Sequence, residues 1–281
     1  MSKHEMFIVP ELEWVMKMGR KGVNVLILDI ETSPLEVYTW GLYKQRINPC
    51  NVIKDWAVLS WAAKWLCDSK IHSGVVTPFD ATNRDDRTII TALWKLVDEA
   101  DIIIAHNAKR FDIKKINTRF IVNGLKPPSP YQVIDTLVEA RKTFAFSSNK
   151  LDYINETLGL QRKLDTNFNL WRRSIEPCAE EQLEALNEML TYNKSDVTAL
   201  EELYFMLRPW IKSHPNMAAY IDAPEVMCPA CGSNNIKHCG FYHTQVAEYE
   251  AFRCECGAIC RARISEFSPE KRASLRVSTV R

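Results

Sequence analysis

The hydrophobic pattern of this 281-residue chain changes period along its length. Residues 25–28, VLIL, are uninterrupted apolar positions leading into Asp29, Ile30 and Glu31, the pattern of a strand covered on both faces. The stretches LEVYTW, WAVLSWAAKWL and KIHSGVV follow, separated by Asn, Pro, Asp and Gly, and predict a β-meander. In RDDRTIITALWKLVDEA the apolar residues Ile89, Leu93, Leu96 and Val97 recur at helical spacing behind a polar start, predicting an amphipathic helix. ADIIIAHN reads as a second short buried strand. AKRFDIKKINTRFIVNGL reads as a second helix, closed by Gly124 and the prolines at 127, 128 and 130. VIDTLVEARKTF has no decisive period. SNKLDYINETLGL predicts a helix capped by Ser148 or Asn149 and closed at Gly159. A long helix runs from about Ala179 to Leu207 and stops at Pro209, and residues 1–22 predict a short helix and a turn. Antiparallel-looking strands first and strand–helix alternation later give an α/β fold, a mixed sheet with helices packed on it.

Composition narrows the class. With 46% hydrophobic and 25% charged residues the chain has enough apolar material for one substantial core and a smaller module, which excludes a disordered chain. A net charge of +1 argues against a general polyanion coat and leaves nucleic-acid binding to a local basic patch. The N-terminal MSKHEMFIVP has no signal-peptide pattern and no run reaches membrane-spanning length, so a cytoplasmic protein with no membrane partner is expected. Disulfides are rare in that compartment. Of nine cysteines, Cys50, Cys67 and Cys178 are scattered and read as plain thiols, while six crowd between 228 and 260. Residues 212–226 hold two prolines and little pattern. The predicted organisation is an extension (1–22), a main domain (23–211), a linker (212–226), a cysteine module (227–263) and a basic tail (264–281).

Three distant segments each bring an acid into an apolar setting. On a strand, Asp29 and Glu31 point to one side and Ile30 to the other. Asp112 stands just beyond the carboxyl end of the second strand, where open α/β sheets place ligands. Tyr192 and Asp196, four apart in the long helix, share one face. Each fragment has a plainer reading: a chance D-x-E, an acid favoured by a helix N-terminus, a half-buried tyrosine beside a solvated acid. Together, four carboxylates cannot cluster ionised without counter-charge, and no run of arginine or lysine is interleaved with them. Hard divalent cations supply it, and two such ions suit in-line phosphoryl displacement.

D-I-E-T on the first strand, H-N-x-x-x-F-D after a later strand and Y-x-x-x-D in a late helix resemble the three signatures of the DEDD exonucleases, tyrosine subtype, of the ribonuclease H-like superfamily. SNKLDYINETLGL and Trp171 are similar to stand-alone members from bacteria and bacteriophages, which places the chain in a bacterial or phage-infected cell. The resemblance covers roughly residues 23–210. It implies a ribonuclease H-like mixed sheet flanked by helices, and Asp29, Glu31, Asp112 and Asp196 as ligands of two Mg2+ or Mn2+ ions. Tyr192 would align the attacking water. The implied activity is 3′–5′ hydrolysis of single-stranded DNA or RNA ends to 5′-mononucleotides. Asn107, whose three-residue spacing to Phe111 is at the long end of the family pattern, Lys109 and Arg110 are candidate substrate contacts, with Lys114, Lys115 and Arg119 nearby. Trp40, Tyr43, Trp56, Trp61 and Trp65 are either core or stacking residues. A catalytically inactive nuclease fold that binds nucleic acid or a protein partner is the competing reading.

The tail has its own logic. CPACG places Cys228 and Cys231 in a knuckle whose Gly232 allows the tight turn, and RCECG supplies Cys254 and Cys256, again before glycine. Four thiolates fit one structural Zn2+, and the pattern resembles a zinc ribbon. C-x-C in place of the usual second C-x-x-C leaves Cys239, Cys260, His238 and His243 as alternative ligands. Nucleic acid and a protein partner are both expected occupants of such a ribbon, and the basic tail favours the former.

Overall fold

The computed structural model describes residues 22–162 and 166–279, so the extension predicted over residues 1–22 lies almost wholly outside the described residues. Two compact units divide the chain, one spanning Asn24–Leu207 and one that includes Arg208–Arg281.

The larger unit is built on a five-stranded sheet of order β5-β4-β1-β6-β7. Strand β4 (Val58–Trp65) runs antiparallel to both of its neighbours, β1 (Val25–Thr32) and β5 (Ile71–Val75). Strands β6 (Ile102–Ala105) and β7 (Gln132–Asp135) add on parallel to β1, so the sheet is mixed. Leu26, Ile27 and Leu28 are completely buried, worth about 1.5–3 kcal/mol each. LEVYTW corrects the expected meander: only Glu36–Val37 (β2) is extended, and it pairs with Val52–Lys54 (β3) in a separate two-stranded sheet. The residues that follow, Tyr38, Trp40 and Tyr43, are exposed and have no sheet to join.

Helices follow the strands. The short α1 (Pro78–Asn83) is capped by Thr77, and α2 (Arg87–Glu99) buries Ile89, Ile90, Leu93 and Val97. Next come α3 (Asp112–Val122), α4 (Thr136–Thr143), α5 (Leu151–Leu158), α6 (Phe168–Ile175) and the 29-residue α7 (Ala179–Leu207). The α5 cap is Lys150, with no side-chain capping bond, rather than Ser148 or Asn149; Gly159 closes the helix in the left-handed conformation as expected.

Register decides which side chains meet which helix. Asp29 pairs with Ala62, Glu31 with Ser60 and Ile27 with Lys64, so these six share one face of the sheet. That face meets α7: Ser60 bonds to Asn193 and Lys64 forms an ion pair with Glu201. Eight residues of helix rise about 12 Å and four of strand about 13 Å, so two polar pairs at matched spacing hold α7 along β4. On the opposite face Ile30 pairs with Trp61, whose Nε1 donates to the Ile89 carbonyl of α2 at 2.8 Å. A buried hub pins that side. Asp86 accepts from Arg119 (2.6 and 2.7 Å), Asn123 (2.9 Å) and the Val58 amide (2.9 Å).

The smaller unit contains an antiparallel sheet of order β10-β9-β8, formed by β8 (Ile236–His243), β9 (Glu248–Cys254) and β10 (Ile259–Arg261). A short helix, α8 (Pro269–Ser274), follows in the basic tail. No described helix is long and apolar enough to cross a membrane.

Candidate active site

The end of β1 supplies the first two acids. A register shift between Glu31 and Thr32 breaks the β1–β4 ladder there, a bulge of the kind that re-aims side chains beside functional sites. Helix α7 brings the third. Asp29, Glu31 and Asp196 each offer a carboxylate oxygen within 4.8 Å of the other two, although 164 positions separate Asp29 from Asn193 on the helix that carries Asp196.

Asp112 opens α3 and is 2% exposed. Burial pushes its carboxyl up to about 8; its own amide and that of Ile30 pull the other way, and the charges of Glu31 and Asp135 raise it further. Its Oδ1 is buried without a hydrogen-bond partner among the described residues. Asp112 is not within the 4.8 Å grouping of the other three, but it shares the electrostatic environment of Glu31. A buried carboxyl with a bare oxygen beside three clustered acids is unfavourable as it stands and suits a hard divalent cation.

The loop that delivers Asp112 is shaped by a residue the sequence did not single out. Asp135, at the end of β7 and 2% exposed, accepts from the amides of Asn107 (3.0 Å) and Lys109 (3.0 Å) and caps α4 through Val138 (3.3 Å). Asn107 sits at φ +71°, in the left-handed region, and its carbonyl accepts from the amides of Arg110 (3.1 Å) and Phe111 (3.0 Å) to close a tight turn. His106 is also scaffolding: its Nε2–H donates to the Asn149 carbonyl (2.9 Å) and its Nδ1 faces the Thr136 hydroxyl (2.9 Å).

Tyr192 is 4% exposed and one helical turn before Asp196; Trp171 of α6 meets its ring edge-on, 6.3 Å between centroids. Trp171 also lines an open cleft of about 440 Å³ with Thr32, Ser33, Pro34, Asn167 and Phe168. The cleft therefore starts one residue beyond Glu31 and reaches the aromatic that supports Tyr192.

The other candidate contacts separate clearly. Lys109 and Arg110 are exposed, and Asn107 is half-buried with its amide engaged by Asp135. Arg119 is committed to Asp86 and is no phosphate ligand, while Lys115 lies 3.5 Å over the ring of Trp56. Trp61 is core and Trp65 packs against it, whereas Trp40 and Tyr43 are exposed.

A family model of the RNase H superfamily, described as RNase_H_2, matches residues 65–208, more than half of the chain. The chain belongs to the RNase H superfamily. The matched segment contains Asp112, Tyr192 and Asp196 and begins after the strand that carries Asp29 and Glu31. Among curated proteins none matches the sequence. As an RNase H superfamily protein the chain carries a nuclease fold on a mixed sheet flanked by helices, the architecture its hydrophobic pattern predicts.

In the smaller unit, the sulfurs of Cys228, Cys231, Cys254 and Cys256 lie within 4.8 Å of one another; Cys239, Cys260, His238 and His243 are not part of the group. Sγ atoms approach to 3.8 Å (Cys228–Cys256) and 3.5 Å (Cys231–Cys254). A tetrahedron with Zn–S bonds of about 2.3 Å has an edge of about 3.8 Å, so the spacing fits zinc. Glu255, the middle residue of C-x-C, accepts from Ser233 (2.8 Å) and Asn235 (2.6 Å) and so ties the second knuckle to the first.

Proposed function

We infer that this RNase H superfamily protein is a divalent-metal-dependent 3′–5′ exonuclease of the DEDD type, acting on single-stranded nucleic-acid ends to release 5′-mononucleotides. The observation that carries the reading is the meeting of Asp29, Glu31 and Asp196 within 4.8 Å, with buried Asp112 close enough to feel the charge of Glu31 and Tyr192 one turn from Asp196. Asp29, Glu31, Asp112 and Asp196 would hold Mg2+ or Mn2+. When bound, such cations supply positive charge where a phosphoryl transfer develops negative charge. Tyr192, 4% exposed and one turn before Asp196, would hold the attacking water by hydrogen bonding. The cleft offers Phe168 and Trp171 as apolar surfaces for the terminal base, and stacking of this kind needs no sequence readout. Exposed Lys109 and Arg110 can meet the backbone phosphates. The four cysteines hold one structural Zn2+ and make the smaller unit a zinc ribbon.

The test is digestion of matched, 5′-labelled DNA and RNA strands with Mg2+ or Mn2+. Stepwise shortening from the 3′ end that falls by at least 10³-fold in a folded Asp29→Ala variant is expected. Cleavage of a circular strand would instead make the chain an endonuclease. No hydrolysis of any substrate would leave a nuclease fold that only binds.

A further inference from the structure

Two buried polar residues with no place in the sequence motifs stand behind Asp29. Asn193, on α7, is completely buried, as is Ser60 on β4. The Asn193 Nδ2 donates to Asp29 Oδ2, and the Ser60 hydroxyl donates to Asn193 Oδ1 at 2.9 Å. Burying an amide side chain between partners is costly unless both ends are satisfied, and here both are. The amide has one acceptable orientation. Reversed, its carbonyl oxygen would face a carboxylate oxygen.

We propose that Asn193, oriented by Ser60, is a positioning residue that sets the Asp29 carboxylate for a divalent cation. The assignment rests on the reading of the acidic site as a cation centre, and it adds residues outside the four acids and the tyrosine.

The same helix–strand interface supplies the contrast that carries the idea. Eight residues further along α7, Glu201 meets Lys64 of β4 in a buried ion pair, and the other Glu201 oxygen accepts from the Cys67 amide at 2.9 Å. Where the interface only has to hold together, a carboxylate is matched with a full positive charge. What Asn193 brings to Asp29 is a neutral amide donor. A lysine there would orient the carboxylate equally well but would cancel the charge that draws in a cation. An amide dipole orients the carboxylate without itself cancelling the charge. Outer partners that orient metal-binding carboxylates act in this way.

The experiment measures Mn2+ binding by calorimetry on the full chain, its cysteine site saturated with Zn2+ and no nucleic acid present. Asn193→Ala is expected to weaken Mn2+ binding by about 10–100-fold. Ser60→Ala weakens it less, because the amide remains but loses its fixed orientation. The double variant binds no more weakly than Asn193→Ala alone, since Ser60 acts only through the amide. Wild-type affinity in both single variants, or additive losses in the double variant, overturns the assignment. If Asn193→Ala does not fold, Ser60→Ala decides alone: wild-type affinity overturns the proposal. A wild-type chain that takes up no Mn2+ overturns the cation-centre reading itself, and this assignment with it. Wild-type uptake matched by undiminished uptake in the variants overturns only this assignment.

Discussion

Asp112 shows how one side chain couples chemistry to stability. Burial lifts its carboxyl to about 8, whereas an unfolded chain releases that proton near 3.9. The folded, metal-free protein therefore holds a proton that the unfolded chain gives up. The stabilisation is complete below about pH 4 and is lost as pH rises through about 8. A divalent cation needs the ionised form and removes the penalty. Thermal melts with and without Mg2+ should show a gain in Tm that is small at pH 5.5 and larger at pH 8.5. Asp112→Asn, a neutral near-isostere, should be more stable than wild type at pH 8.5 without metal and should lose most of the Mg2+ response. An equal Mg2+ gain at both pH values would mean that Asp112 takes no part in holding the cation.

At the scale of elements, the site depends on how closely strands and helices can approach. Gly74 of β5 pairs with Trp61 of β4, and a Cβ at Gly74 would stand 2.7 Å from the indole nitrogen. That nitrogen is already bonded to the Ile89 carbonyl, so the ring cannot give way without losing a buried hydrogen bond. Gly74→Ala should cost about 1–3 kcal/mol by denaturant unfolding; a neutral result would show that β5 can shift outward. Elements with a strongly periodic or an uninterrupted apolar pattern were legible in the sequence: α2, α3 and α7 have the former, and β1 and β6 the latter. Strand β7 has only four residues running directly into α4, and Asp135, which ends the strand and caps the helix, gave the segment its mixed signal. Helices α1 and α6 are too short to show a period. Within the site, the acids were legible because carboxylates at a strand end are conspicuous. Asn193 was not, because an asparagine between Tyr192 and Asp196 looks like a solvated position until the register of α7 on β4 is known. Asp135 and His106 were hidden for the same reason: their partners, the Asn107 amide and the Asn149 carbonyl, are backbone groups that no pattern of side chains announces.

At the scale of the whole molecule, the two units are stabilised by different means. The unit spanning Asn24–Leu207 has an extensive apolar core that includes Leu26, Leu28, Trp61, Leu93, Ile103 and Phe120. The cluster at the cysteine site consists of Cys228, Ala230, Cys254 and Ala258, with Cys231, Ile236 and Cys256 packed against it, so sulfurs fill much of the place that leucines and isoleucines take elsewhere. Outside that cluster the described residues 208–279 bury mainly Ile211, Met217, Ala247 and Ala251, a modest offset to the entropy of ordering the sheet, whereas structural zinc contributes on the order of 10 kcal/mol to folding in such modules. Calorimetry of the zinc-replete protein should therefore show two transitions, with one zinc per chain by metal analysis. Cys228→Ser should release the zinc and remove the transition of the cysteine unit while leaving the other within a few degrees of its wild-type position. The same variant should still shorten a short single-stranded oligonucleotide, because the candidate catalytic residues Asp29, Glu31, Asp112, Tyr192 and Asp196 all belong to the larger unit. Loss of both transitions together would mean that the nuclease fold needs the cysteine unit to stand, and the division of labour between the two cores would have to be abandoned.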